Sequence, residues 1–461
     1  MVAVDIHLKK PNLSQQDEFL VLDAHTLKDL DIFRSEEGES TLFEFCNMTR
    51  TEGGARVLKR RMTSPWSNAD RIRGTQNAIS FIVANRPVFA KLPSAYAARR
   101  SEHYLREVMP IVVYENPVEF TFGAFSLWAN HSSHYLGITR GVQIACRLIR
   151  GLREFVDRAE LVSAAGELAP LVDEIRMLLN QPGFSQVPVQ EVGGWAWRIL
   201  RLDQIFRLFE KESLARLLVL IHEIDALVAM ADVTAQNNFV MPHLEQGPLR
   251  VHATDLVHPF VAHAVANPVE ISQDRRVLFL TGPNMAGKTT YLRAFATAYY
   301  LAHLGMGVPA SSFHFVPAQR LFSAISLSDD LRSGISYFRA EALRAKVVAE
   351  AIAEGHSVVA IMDEPFKGTN VKDALDASLA ILQRFAIKDN CLFMFSSHLI
   401  ELGESLAITE QIDCRNFEAD ETGGRLRFDY LLRPGVSSQR LGMRVLEEEG
   451  VFELLDRQPV Q

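Results

Sequence analysis

Apolar residues recur at three- and four-residue spacing through the first half of the chain, from about Phe19 to Met241, and predict a region built mostly of amphipathic helices. The clearest piece is "RLDQIFRLFEKESLARLLVLIHEIDALVAMADV". Leu202, Ile205, Phe206, Phe209, Leu217, Leu220, Ile221, Ile224, Leu227 and Val228 hold the spacing there. The pattern predicts one helix of more than thirty residues. Since ~11–12 residues is usual, such a helix is either a coiled-coil element or a long lever between domains. Pro110 and Pro117 punctuate the region, and "EVGGWAW", from Glu191 to Trp197, predicts a break just ahead of the long helix.

Near "NNFVMPHLEQGP" the pattern changes to short β-rich runs separated by turn residues: "LRVHATDLVHPFV", "NPVEIS" and "RRVLFLTG". Farther on, "RLFSAIS", "SVVAIMDEP" and "NCLFMFSSH" are apolar strands of the kind buried on both faces, and they alternate with helical stretches such as "YFRAEALRAKVVAEAIAEG". That alternation predicts a parallel sheet flanked by helices. The expected organisation is an N-terminal tail over 1–18, an all-α core and lever domain over 19–245, and an α/β domain over 246–461.

Length agrees with more than one domain, because 461 residues exceed what one ordinary hydrophobic core supports. With 48% hydrophobic and 23% charged residues, the composition is that of a folded soluble protein. Cys46, Cys146, Cys391 and Cys414 are widely spaced and form no CxxC pair, so neither a zinc site nor a disulfide framework is expected. A reducing, cytoplasmic setting follows. The N-terminus has no apolar segment behind a basic start, and no run approaches the roughly 18 apolar residues that a membrane span needs.

A net charge of −8 argues against indiscriminate coating of nucleic acid, but the charge is uneven. Residues 51–100 carry ten Lys/Arg against two Asp/Glu, and residues 401–461 carry thirteen acids against seven bases. The basic segment either meets phosphates or forms a solvated helix face.

The chemistry is concentrated in "FLTGPNMAGKTTYLRAF". Gly282, four residues, Gly287, Lys288 and Thr289 form the phosphate-loop pattern GxxxxGK[ST]. It stands between a buried strand and an apolar helix, the context the pattern requires. Glycines let backbone N–H groups close around phosphate oxygens, Lys288 reaches the β- and γ-phosphates, and Thr289 holds Mg²⁺ at a helix N-terminus that favours anions. Farther along, "VVAIMDEP" ends a strand in Asp363 and Glu364. Asp363 is expected to orient Mg²⁺ and Glu364 to polarise the attacking water. The plainer reading of an Asp-Glu pair at a strand end is a loop opening or helix cap. "CLFMFSSH" brings His398 to the end of the next strand, either as a γ-phosphate sensor or as a hydrogen-bonded structural residue.

Taken in order and spacing, "TGPNMAGKTTYLR", "SDDLRSGISYFRAE", "IMDEPFKGTN" and "FSSHLIEL" resemble the ATPase domain of the MutS mismatch-repair family. "VLDAHTLKDLDIF" with "STLFEFCNMTRTEGGARVLKRRMTSP" is similar to the start of that family's helical core, and "LLRPGVSSQRLGMRVLEEEGV" to its closing segment. The resemblance implies a P-loop, ABC-type ATPase domain behind a helical core. It implies ATP and Mg²⁺ bound by Gly282, Pro283, Asn284, Met285, Ala286, Gly287, Lys288, Thr289 and Thr290. It also implies that Ser336 touches nucleotide held by a second subunit, hence a homodimer with composite ATP sites. The catalytic set is then Glu364, His398 and Lys288, with Thr289 and Asp363 on the metal.

Ala286, Thr289, Tyr337 and Pro365 depart from the family pattern, which has Gly, Ser, Thr and an aliphatic residue there. No Phe-x-Glu precedes the core, and the segment from Val88 to Leu200 is short for a full lever and clamp. The closing stretch "LEEEGVFELLDRQPVQ" leaves little of the family's helix-turn-helix and no room for a nuclease domain. The expectation is therefore an ATPase that acts on double-stranded or branched DNA, with repair proteins as further partners and without mismatch reading of its own. The alternative is an ATP-switched interaction module that touches protein partners only. A transporter-type subunit is disfavoured by "GPNM" and by the long helical region.

Overall fold

The computed structural model describes residues 18–35, 39–113, 116–161, 165–192, 196–326, 337–406, 409–422, 425–437, 439 and 442–455. The chain forms two compact units that interleave along the sequence. One comprises the described parts of Met1–Glu44, Ser64–Ile72 and Asn237–Gln461; the other comprises Phe45–Thr63 and Arg73–Gln236.

The first unit holds the sheets. In chain order its strands are β1 (His243–Leu244), β2 (Val251–Leu256), β3 (Asn267–Ile271), β4 (Val277–Thr281), β5 (Ser312–Phe315) and β6 (Arg320–Ala324). They continue with β7 (Val358–Asp363), β8 (Cys391–Ser396), β9 (Ile412–Asn416), β10 (Ala419–Thr422), β11 (Arg425–Phe428) and β12 (Arg433–Pro434). The main sheet runs β12-β9-β4-β8-β7-β6, parallel throughout except for the short antiparallel β12 at one edge. Every residue of β4 and β8 is buried, as a sheet covered by helices on both faces requires. A smaller sheet, β1-β5-β2-β3, stands beside it, and β10 pairs with β11.

All six apolar runs expected as strands form strands. Alternation within β4 sends Val277 and Phe279 to one face, where they meet Phe322, Ala360, Phe393 and Phe395 in a continuous core. Phe385 stacks on Phe393 with centroids 4.1 Å apart, fixing the helix Val371–Phe385 against the sheet. Near the N-terminus the short helix Ala24–Asp29, capped by Asp23 on the Thr26 amide, lies against β6. Its buried Asp29 accepts hydrogen bonds from Ser323 Oγ and from the amides of Ile325 and Ser326.

The second unit is helical. Its longest element, Ser132–Leu161, buries Ile138, Val142, Ala145, Ile149, Leu152 and Val156 on one stripe. The long helix expected around residues 201–233 is instead two: Ala196–Gln204 and Lys211–Gln236, joined by a π-turn over Ile205–Phe209. The extra residue of that turn rotates the apolar stripe, so Phe206 is buried while Phe209, expected inside, faces outward. Buried polar groups hold the junction. Arg207 pairs with Asp203 and donates to the Met109 carbonyl, and Tyr104 Oη donates to Asp203 at 2.6 Å.

Candidate active site

Beyond Thr281 the chain turns through residues 282–287 into the sixteen-residue helix Lys288–His303. Two positions in the turn require glycine. Gly282 has φ +139°, and a Cβ there would lie 2.4 Å from the Phe417 carbonyl oxygen; Gly287, φ +103°, is the left-handed residue that starts the helix. Ala286 is buried under the loop, whereas Asn284 and Met285 are exposed on its crest.

Lys288 is buried despite its charge. Its Nζ donates to the carbonyls of Gly282 at 2.8 Å and Pro283 at 3.1 Å, and stands 3.5 Å from Glu364 Oε1. One residue on, Thr289 Oγ1 donates to Asp363 Oδ2 at 2.5 Å. The other oxygen of Asp363 accepts from the hydroxyl of Ser396, the last residue of β8. That same hydroxyl and the Ser396 carbonyl receive the Glu364 amide at 3.0 and 3.1 Å. Ser396 thus ties both carboxylate residues to the neighbouring strand, a contact that the sequence reading missed although the serine lies inside "FSSH".

Glu364 adopts φ +47°, a left-handed conformation that is uncommon without a glycine. Its carboxyl group is held down at about 2, first by the adjoining His398, then by the positive charges of Lys288 and Lys367. His398 Nδ1 stands 3.7 Å from Glu364 Oε2, an ion-pair separation rather than a hydrogen bond. His398 is half-exposed and touches Glu364 rather than lining the cleft.

The cleft beside these groups encloses about 770 Å³. Asn284, Met285, Gly287, Lys288, Thr289 and Thr290 form one wall, with Asp363 and Glu364 beside them. The rest of the lining was not foreseen: it comes from the connection between β2 and β3, including His258 and Val265, and from Tyr430, which lies close to Gly287. Asn267, buried at the start of β3, holds Tyr430 in place by donating to its carbonyl at 2.9 Å and accepting the Leu432 amide at 2.7 Å. A buried Asn in the strand run "NPVEIS" was the available signal. Burial, helped by Arg293, lowers His258 to about 4, so it faces the cleft uncharged.

The Thr289 hydroxyl and the Asp363 carboxylate are hard oxygen ligands hydrogen-bonded to one another, a pair that suits Mg²⁺. Among the described residues no group of three His, Cys, Asp or Glu could hold a metal by itself. The fit is that of an ion completed by phosphate oxygens and water. Ser336 lies outside the described residues. Among the described residues no helix is long and apolar enough to cross a membrane.

Comparison with known proteins agrees with this geometry. A family model described as MutS domain V matches residues 278–455, and one described as MutS domain III matches residues 25–101. The chain is 26% identical, over 552 aligned residues, to the DNA mismatch repair protein MutS of Ruegeria pomeroyi. The alignment covers 96% of this chain and 62% of that protein, so the chain spans less than two thirds of the relative's length. With domain III matched at the start of the helical region and domain V matched across the phosphate loop and Asp363–Glu364, the chain belongs to the MutS family.

Proposed function

We propose that the cleft binds ATP with Mg²⁺ and hydrolyses it, and that turnover drives the helical region against a DNA client. The observation that carries the reading is the Thr289–Asp363 contact at 2.5 Å, set beside Glu364 and Lys288 at the mouth of the phosphate loop. Backbone amides of residues 282–290, Pro283 excepted, with the side chain of Asn284 at the γ-phosphate end, receive the phosphates at the positive end of a helix. Lys288 exchanges its loop carbonyls for the β- and γ-phosphates. Thr289 and Asp363 would hold Mg²⁺, which would supply neutralisation of the phosphate charge. The nucleoside rests between Val265 and Tyr430, where an apolar side chain and an aromatic ring face the same space.

Glu364 orients the attacking water. Its role is to accept the water's hydrogen bond and fix its direction toward the γ-phosphate. His398, outside the cleft lining but beside Glu364, senses the γ-phosphate through that carboxylate.

The relative's name, a DNA mismatch repair protein, supports DNA as the client, double-stranded or branched. In this reading residues 19–245 act as core and lever and residues 246–461 as the ATPase domain. Ser336 reaches nucleotide bound by a second copy, giving a cytoplasmic homodimer with composite sites and repair proteins as further partners. Low discrimination between mismatched and perfectly paired duplex is part of the same proposal. The test is a titration with a slowly hydrolysed ATP analogue and Mg²⁺, with and without a DNA duplex. The reading expects saturable nucleotide binding that Thr289→Ala weakens, and duplex binding that responds to nucleotide. Binding indifferent to both would overturn it.

A further inference from the structure

The turn that follows Asp363 is strained twice over. Glu364 has φ +47° and Phe366 φ +67°, and neither is glycine. Left-handed conformations of this kind are costly for residues other than glycine and persist only where the surroundings over-determine them. On one side the restraint is Ser396, which receives the Glu364 amide. On the other side it comes from a single helix, Tyr337–Ala353.

Two side chains of that helix, three residues apart and so on one face, grip the turn. Phe338 packs edge-on against the buried ring of Phe366, with centroids 6.1 Å apart. Glu341, only 2% exposed, accepts the Lys367 amide on Oε1 and the Gly368 amide on Oε2, each at 3.2 Å. A buried carboxylate without a basic partner is costly. Among the described residues Glu341 forms no ion pair, and it is met by this run of amide dipoles together with the nearby charge of Lys367. Two oxygens facing two parallel N–H groups is an arrangement that a carboxylate satisfies and an amide side chain cannot, because its NH₂ would meet a donor.

We propose that Glu341 is a positioning residue for ATP hydrolysis: by holding the amides of Lys367 and Gly368 it locks the strained turn that aims Glu364 at the attacking water. The inference rests on the hydrolytic role given to Glu364 and adds the residue that keeps it in place. Lys367 lines the cleft beside Glu364, so release of the turn moves both groups together. The helix that carries Glu341 begins immediately after Ser336 in the chain, so its displacement would reach the water-orienting residue through two hydrogen bonds and one ring contact.

The experiment uses the full chain with Mg²⁺ and ATP. It reads nucleotide affinity with a fluorescent ATP analogue and the hydrolysis step by single turnover with enzyme in excess. Glu341→Gln is expected to leave the analogue Kd within about threefold while the single-turnover rate falls at least tenfold, roughly 1.4 kcal/mol of barrier. In a Glu364→Gln background the same substitution is expected to cost nothing further, because the group it aims is already disabled. A wild-type rate in Glu341→Gln, or an equal fold-loss in both backgrounds, overturns the proposal. Should Glu341→Gln not fold, Glu341→Asp is read by the same criteria, since it keeps the buried charge and withdraws the oxygens by one methylene. A wild-type chain that neither binds nor hydrolyses ATP defeats the ATPase reading and this proposal with it; a hydrolysing wild type with an unaffected Glu341→Gln defeats this proposal alone.

Discussion

Thr289 Oγ1 and Asp363 Oδ2 lie 2.5 Å apart although 74 residues separate them in the chain. Their meeting follows from the strand order: β4 delivers the phosphate loop, β7 delivers Asp363, and β8 between them supplies the Ser396 hydroxyl that fixes Asp363. Parallel strands end on the same edge, and the loops there converge on one cleft.

Lys288→Ala removes the buried charge that stands over the loop carbonyls of Gly282 and Pro283. A charge-assisted hydrogen bond is worth about 1.5–3 kcal/mol. ATP affinity, read by isothermal titration, is expected to fall by roughly 10- to 150-fold. Binding at wild-type strength would rule out Lys288 as the phosphate ligand.

Gly282→Ala places a methyl group 2.4 Å from the Phe417 carbonyl at a backbone angle that L-residues rarely adopt. The loop must shift, at a cost of at least about 1–3 kcal/mol. Chemical denaturation should show that loss together with weakened nucleotide binding. A variant as stable as the parent with unchanged affinity would mean that the loop accommodates a side chain.

Glu364 couples stability to pH. Its carboxyl sits at about 2, below the ordinary value of 4.5, because His398, Lys288 and Lys367 favour the charged form. A depressed carboxyl stabilises the fold fully above its unfolded value and loses that contribution as pH falls through the folded one. The melting-temperature gap between the parent and Glu364→Gln should therefore be constant above about pH 5 and shrink progressively toward pH 2–3. A gap that widens on acidification would contradict the assignment of these charges.

Much of this site was legible in the sequence, and the reason is local. Residues 282–290 and the Asp363–Glu364 pair are short motifs whose chemistry depends on backbone shape and on a neighbouring strand, both visible in the apolar pattern. Ser396, Tyr430 and Glu341 escaped because each acts through a contact whose partner is set by tertiary packing. The strands were readable as continuous apolar runs, whereas the single long helix was not, since one residue inserted at the Ile205–Phe209 turn preserves the overall hydrophobic spacing while rotating it. The attachment of the N-terminal helix to β6 through Asp29 had no local signal either: an Asp near a helix end reads as surface until its acceptors find Ile325 and Ser326.

DNA binding by this chain should follow backbone charge and shape. A competition between homoduplex and single-mismatch duplex at fixed salt, with and without ATP, is expected to show less than tenfold preference, equivalent to ~1.4 kcal/mol. Affinity should fall steeply as salt rises. A stronger mismatch preference would require a reading element within the helical unit; affinity for duplex absent at every salt concentration would favour a module that engages proteins alone.

In the proposed ATPase, Glu364 orients water while Lys288 and Thr289 hold nucleotide. Single-turnover hydrolysis of radiolabelled ATP by the parent and by Glu364→Gln, with binding measured on the same preparations, tests it most directly. The predicted result is retained affinity with a rate reduced by at least a hundredfold, about 2.7 kcal/mol of barrier. Equal rates in the two proteins would contradict it.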